Sequence, residues 1–509
     1  MEGPVPNRRE FAALWKAGAS PSVWREVLAD CETALSAFRK VATGKYRFLL
    51  ESVEGGEVWG RYSIFAGDVR GELRFANGAA TMTGTRVMTL SATEPLGALR
   101  EAFAAIRAVA PTSEAAKPFA PPPPFRGGAI GWLAYDAVRH YARVELPTAR
   151  KGDAEADAVF LFPETWLVFD RLRSRIALVA DTDWMRFEKR SAADAWSEAT
   201  KRLDDLEKRL ARPLRAERPS PAKLAVGAFD VTDAAFAQNV ERCQEYIRSG
   251  DVIQVVLSRR REGTFAGDPL DVYRALRLVN PSPYMFHLRA GKTIFAGSSP
   301  EALVRVQNGK LTTRPIAGTR QRGRNPAEDA GLGEELLRDE KERAEHLMLV
   351  DLGRNDLGRV AAVGSVRVPS FMRLERYSHV MHLVSDVEAT LAPGKDAFDA
   401  VASVFPAGTL SGAPKIRAMQ IVSELEGRRR GSYGGLVGWF DREGNADTCI
   451  AIRTVEMNEP ANGKGPTRFR VQAGAGIVYD SIPLSEARET AAKAEGVLQS
   501  LALASRGLA

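Results

Sequence analysis

Two stretches far apart in the chain place carboxylates at helical spacing. In the predicted helix 338–351, Glu342 and Glu345 are three residues apart and share a face. Near the C-terminus Glu489 and Lys493 are four apart and share a face too. A hard cation such as Mg2+ takes oxygen ligands, commonly one or two protein carboxylates completed by water and substrate oxygens. One Glu from each helix suits that geometry. On pattern alone, ion pairs on solvated helix faces are the commoner reading of both.

Other segments add cations, hydroxyls and glycine turns. These are Pro406-Ala407-Gly408-Thr409-Leu410-Ser411-Gly412-Ala413-Pro414-Lys415, then Ile450-Ala451-Ile452-Arg453-Thr454, then Ala473-Gly474-Ala475-Gly476. The planar guanidinium of Arg453 can grip a carboxylate through two parallel hydrogen bonds. Consecutive N–H groups at Gly474-Ala475-Gly476 predict an anion-binding concavity, because glycine lets backbone approach closely. The set suits a small polyanionic substrate held partly by backbone and partly by a divalent cation.

The elements that must position these residues read as follows. Residues 1–40 suggest a polar arm and a short helix, and 46–65 a strand, a Gly55-Gly56 turn and a second strand. Residues 118–128, with Pro121-Pro122-Pro123-Pro124, read as a stiff connection. Strands are predicted at Ala129–Trp132 and Trp166–Phe169. A charged helix is predicted over 187–211, with Trp196, Leu203, Leu206 and Leu210 on one face. Proline breaks it, and the division falls near 212–225, giving regions 1–225 and 226–509. A helix follows from Thr232 to Ser249, stopped by Gly250, then a strand Val252–Ser258. No regular βαβ alternation is visible, so an α+β fold with antiparallel sheets is predicted.

The chain has 509 residues, 45% apolar and 27% charged, the range of a globular protein with a large core. No apolar run reaches the ~18 residues of a membrane span. The start lacks a signal-peptide pattern, which predicts a cytoplasmic protein. Cys31, Cys243 and Cys449 form no CxxC pair, so neither a zinc site nor a disulfide framework is expected. A net charge of +7 invites a nucleic-acid reading, but the basic residues do not interleave with aromatics, and no nucleic-acid partner is expected.

Ala344–Asp356, Glu486–Ala494 and Pro406–Lys415 together resemble the chorismate-utilising enzymes, and among these the anthranilate synthase large subunits. The resemblance spans roughly residues 40–500. It implies a large antiparallel β-sheet sandwich with helices packed outside. It implies that Glu345 and Glu489 ligate Mg2+. It gives substrate contacts to Gln254, Gly318, Thr319, Tyr433, Arg453, Gly474, Ala475, Gly476 and Lys493. Catalytic roles fall to Thr409, to Glu301 in Gly297–Ala302 as general acid, and to His382 in loss of pyruvate, with His379 structural. Gln254 stands where water-adding relatives carry a basic Lys. Ala317 stands where aminodeoxychorismate synthases carry a nucleophilic Lys, so no covalent route is open here.

Leu49-Leu50-Glu51-Ser52, Gly60-Arg61-Tyr62-Ser63 and Asn280-Pro281-Ser282-Pro283-Tyr284-Met285 resemble the tryptophan feedback motifs of the same family. Glu51 suits an ammonium group and Ser52 a hydrogen bond, while Pro283, Tyr284 and Met285 suit an indole. Cys449 and Asn280 belong to the same set by resemblance. Cys449, Ala451 and Arg453 are predicted to alternate onto one strand face, and that strand is expected to link the tryptophan pocket to the substrate site. The resemblance also implies a hetero-oligomer, with a separate glutamine amidotransferase subunit supplying ammonia. Two rival readings are an enzyme that keeps the enolpyruvyl group and a non-catalytic tryptophan sensor.

Overall fold

The computed structural model describes residues 3–52, 61–84, 88–107, 119–122, 124–149, 156–214, 220–377 and 380–508. The expected Gly55-Gly56 turn, Gly60, Pro123 and His379 lie outside the described residues. Among those described, 22 strands form one connected sheet and every strand pairing is antiparallel. Strands from both sides of residue 225 pair directly: Tyr46–Glu51 with Tyr284–Ala290, and Gly128–Leu133 with Leu436–Asp441.

The sheet faces itself. Trp132 and Phe295 sit on strands that do not pair, yet their ring centroids are 4.8 Å apart, edge to face. Helices cover the outside. The helix Asp233–Arg248 starts on Thr232, whose side chain accepts from the Ala235 N–H, and ends at Ser249 before Gly250. It buries Phe236, Val240 and Cys243 against Val255 and Leu257 of the strand Gln254–Phe265.

That strand runs past the predicted stop at Ser258. The reason is Arg259, which is fully buried despite its charge. It donates to Thr490 Oγ1 at 2.7 Å, to the Ala487 carbonyl at 2.6 Å and to Asp233 at 2.5 Å, and it lies 4.0 Å over the Phe229 ring. A buried charge is tolerated only when paired and hydrogen-bonded. These bonds lock the C-terminal helix Pro483–Ser505 to the sheet.

Two expectations need correction. The N-terminal 40 residues hold helices Arg8–Lys16 and Ala34–Val41, and between them a strand Val23–Leu28 that pairs with Arg175–Ala180. Arg338 ends a separate helix, Pro326–Arg338, and the helix expected at 338–351 begins two residues later, at Glu340, and runs on to Gly358. Asp339 ends the first and caps the second, accepting from the Lys341 and Glu342 N–H groups. A capping carboxylate looks like any helix residue in a periodicity count, so the break was hidden.

A second buried ion pair supports the sheet from within. Glu426 and Arg430 have side chains 3% and 2% exposed and meet at 2.7 Å. Glu426 also accepts from the Ser258 N–H and hydroxyl, and Arg430 donates to the Leu410 and Val256 carbonyls. Removing one member leaves the other buried and uncompensated. Glu426→Ala should destabilise the protein by about 3–5 kcal/mol, read as a lower denaturant midpoint. A midpoint unchanged from the parent would contradict this reading of the pair.

Candidate active site

A cavity of about 450 Å3 is lined by Glu301, Ala317, Thr319, His382, Arg453 and Lys493, with residues 279–283 along one wall. Six sequence-selected positions thus meet from five separate segments.

Glu301 sits between the strands Thr293–Ser299 and Ala302–Gln307, and its carbonyl accepts the Ile450 N–H at 3.1 Å. Burial pushes its carboxyl up from the ordinary range to about 7. The opposing influence is Thr409, whose hydroxyl donates to Oε1 at 2.9 Å. Thr409 lies behind Glu301, in the short helix Gly408–Ser411, and lines a smaller adjoining cleft instead of the main cavity.

His382 lies on the strand Val380–Thr390. Its Nδ1 is 3.1 Å from the Gly318 carbonyl and 3.1 Å from Thr319 Oγ1. Only a protonated Nδ1 can donate to that carbonyl, so the neutral ring carries its basic lone pair on Nε2. Gly318 makes this possible. The strand Ile316–Gln321 shifts register between Ala317 and Thr319, and Gly318 takes φ +67° at the bulge.

The cationic side is Arg453 and Lys493. Arg453 adopts φ +51°, an uncommon conformation for a side-chain-bearing residue. Among the described residues it forms no ion pair, and its guanidinium donates to the Lys493 carbonyl at 3.4 Å. Burial lowers its pKa, against the pull of Tyr433 and Glu489. Lys493 bridges Glu489 at 2.5 Å and donates to the Gly474 carbonyl at 3.1 Å.

Glu345 approaches the same place from the helix Glu340–Gly358. Burial raises its pKa, and repulsion from Glu342 and Glu489 raises it further. Glu342 is held by Arg320 at 3.2 Å. Among the described residues nothing bonds to the Glu345 carboxylate. Two carboxylates that repel, one of them without a partner, form a hard-oxygen donor pair that a divalent cation would relieve. Among the described residues no group of three or more His, Cys, Asp or Glu stands ready for a metal. Such a poor protein ligand set fits Mg2+, which keeps water and substrate oxygens, better than zinc. Glu486 also carries a raised pKa, from burial and then from Glu489. Sequence reading missed it, although it precedes Glu489 by one helical turn.

The expected concavity at Gly474-Ala475-Gly476 is not there. These residues lie inside the strand Thr467–Ile477, paired with Ser258, Leu257 and Val256. Successive N–H groups of an extended strand point to opposite sides, so they cannot converge on one anion. The glycines instead make room. A Cβ on Gly474 would sit 2.7 Å from the Tyr433 hydroxyl, and one on Gly476 would sit 2.8 Å from Gln254 Nε2. Tyr433 and Gln254 are therefore packed on this strand, Tyr433 at Gly474, whose carbonyl accepts from Lys493, and Gln254 at Gly476.

A second cavity contains Glu51, Ser52, Pro283, Tyr284, Met285 and Cys449. Asn280 lies on the main cavity instead, because the backbone turns between Asn280 and Pro283. The Glu51 carboxylate is already engaged by Arg171 at 3.0 Å, by Arg277 at 3.2 Å and by the Tyr273 hydroxyl, so it orders the wall and offers no open charge. Asp447 and Arg305, 3.2 Å apart, line the same cavity and were not foreseen. Asp447 also accepts from the Tyr284 hydroxyl at 2.9 Å. The signal was present: Asp447 and Cys449 are two apart on one strand, Ala446–Ile450. That strand stops at Ile450 and does not continue to Arg453, so the expected run Cys449–Ala451–Arg453 on one strand face is wrong. The Gly434 and Gly435 backbone captures Ala451, and the chain turns.

The family model described as chorismate binding enzyme matches residues 60–499. Anthranilate synthase component 1 of Mycolicibacterium smegmatis is 45% identical over 513 residues, covering 98% of this chain and 94% of the relative. That of Thermus thermophilus is 45% identical, covering 94% and 98%. The crystal structure of anthranilate synthase component I from Streptococcus pneumoniae superposes with TM-score 0.74 at 35% identity, covering 92% of this chain and 98% of that one. The menaquinone-specific isochorismate synthase MenF of Escherichia coli shares the fold, with TM-score 0.68 at 19% identity. The chain belongs to the chorismate binding enzyme family, on its anthranilate synthase component 1 branch.

Proposed function

We propose that the chain converts chorismate and ammonia into anthranilate and pyruvate, as an Mg2+-dependent synthase of tryptophan biosynthesis. The observation that carries this is one cavity holding a neutral acid at Glu301, a basic imidazole nitrogen at His382 and the two cations Arg453 and Lys493.

Arg453, without an ionic partner among the described residues, receives one substrate carboxylate, and Lys493 adds positive charge beside it. Glu345 and Glu489 would hold the Mg2+, which supplies Lewis-acid stabilisation of charge on the ring carboxylate. Ammonia is itself a nucleophile and needs no base, which agrees with Gln254 on the adjoining strand. As nitrogen bonds to C2, the C4 hydroxyl leaves. Glu301 gives it a proton, so water departs and the carboxylate remains. His382 then assists removal of the C2 proton as the C3–O bond breaks; the ring becomes aromatic, and the released enolpyruvate takes up a proton at its methylene carbon to become pyruvate. Ala317 offers no nucleophile, which keeps the path non-covalent. The second cavity is assigned to tryptophan as feedback inhibitor, supported by six of the seven expected residues on one wall system. The relatives' designation as component 1 supports a second component, assigned as the glutamine amidotransferase.

Chorismate with ammonium and Mg2+ should give fluorescent anthranilate from the purified chain. Chelation should abolish it, and glutamine should not replace ammonium. A product retaining the enolpyruvyl mass would favour the rival reading. His382→Ala should slow pyruvate loss by about 10²–10⁴-fold and accumulate the aminated intermediate, seen by mass spectrometry.

The pH dependence follows from Glu301. Its active form is protonated, so Glu301 sets the alkaline limb: its contribution is present below about 7 and lost as pH rises through it. The Thr409 hydroxyl stabilises the carboxylate, so Thr409→Val should raise the pKa and move the alkaline limb to higher pH. A limb that stays in place or moves down would contradict this pairing.

A further inference from the structure

The two cavities share a wall. Asn280, Pro281, Ser282 and Pro283 line the catalytic cavity, and Pro283 with Tyr284 and Met285 lines the second one. A ligand in either cavity therefore presses on the same short segment. Ser298, near the end of the strand Thr293–Ser299 and fully buried, helps pin that segment.

Ser298 makes three connections. Its hydroxyl donates to the Asn280 carbonyl and lies 2.9 Å from the Ser282 hydroxyl. Its backbone N–H donates to the Arg453 carbonyl at 3.1 Å. In the sheet it is the register partner of Met285, which belongs to the second cavity. The strand Ala446–Ile450 ends before it reaches Arg453, so the connection does not run along it; Ser298 is where the ladder from Met285 meets the Arg453 carbonyl.

We propose that Ser298 is a positioning residue that transmits occupancy of the second cavity to Arg453. The proposal rests on the reading of that cavity as a tryptophan site. Arg453 is the receiver because its backbone is held at φ +51°. A residue in that region persists only while its surroundings hold it, so a small change at its carbonyl can release it toward commoner backbone angles. Release swings the guanidinium away from the place where it grips a carboxylate. With the Ser298 hydroxyl bonded to Asn280 and Ser282, the shared wall and the Arg453 carbonyl move as one piece. Without it, the wall can yield to a ligand on one side while Arg453 stays in place. The coupling is reciprocal by thermodynamic necessity: chorismate must weaken tryptophan binding by the factor by which tryptophan weakens chorismate binding.

The test uses the full chain with ammonium as nitrogen source. L-tryptophan affinity is measured by calorimetry, and the chorismate KM is measured with and without saturating L-tryptophan. In the parent, L-tryptophan should raise the chorismate KM about tenfold or more. Ser298→Ala should bind L-tryptophan within about threefold of the parent, yet show a KM change below about twofold. Ser282→Ala removes the Ser298–Ser282 contact but leaves the Ser298–Asn280 bond, so it should reduce the coupling in part; it stands in if Ser298→Ala does not fold. Variants inhibited as strongly as the parent would overturn the proposal while leaving the tryptophan site intact. Loss of L-tryptophan binding and chorismate binding together, with a lowered melting temperature, would show a merely structural role and overturn it too. A parent chain that binds no L-tryptophan would instead overturn the assignment of the cavity, and the proposal with it.

Discussion

Mutual repulsion between carboxylates brought together from distant segments is the constraint on which this structure turns. Glu345 is half-buried with no partner among the described residues, and burial, Glu342 and Glu489 all disfavour its charge, so it would gain by moving out. The fold prevents it with two buried polar bolts. Arg259 fastens the helix bearing Glu489 and Lys493 to the sheet through Thr490 and Ala487. His346, next to Glu345, meets the Ser385 hydroxyl at 2.6 Å and fastens the other helix to the strand that carries His382. Both bolts are polar groups removed from water, so each is costly to leave unmade. On the proposed reading, a divalent cation between Glu345 and Glu489 would relieve that repulsion.

The rest of the cavity sorts acid from base by environment. Glu301 lies deep with one hydroxyl donor, so its carboxyl prefers to keep its proton. His382 gives its Nδ1 proton to a backbone carbonyl that only a bulged glycine could aim at it. Arg453 is left without a carboxylate partner among the described residues, which leaves its charge available to a ligand. On the proposed reading, amination and pyruvate loss use these groups in those states. That is preorganisation, and it costs nothing more at the moment of reaction.

Much of this was legible in the amino-acid sequence, for identifiable reasons. The helix Asp233–Arg248 could be read because its cap, its apolar stripe and its terminal glycine are all local. The convergence of Glu345 with Glu489 could not be read from spacing, since it depends on two helices docking across the sheet; the family pattern supplied it. The extension of the strand past Ser258 was hidden because a buried Arg259 is visible only through partners far away in sequence. The glycines at 474 and 476 were assigned the wrong task, because a glycine that admits a neighbour's side chain looks the same as one that turns the backbone. Glu51 was read as an open charge, because its arginine partners at 171 and 277 lie far from it in the chain. Asp447 was missed although strand alternation pairs it with Cys449.

The most direct measurement is anomalous scattering from crystals of the Glu301→Gln variant soaked with chorismate and Mn2+ in place of Mg2+. The account predicts one strong peak bounded by the carboxylates of Glu345 and Glu489, with a substrate carboxylate completing it. A peak elsewhere in the molecule, or substrate bound with no metal between those two side chains, would contradict it.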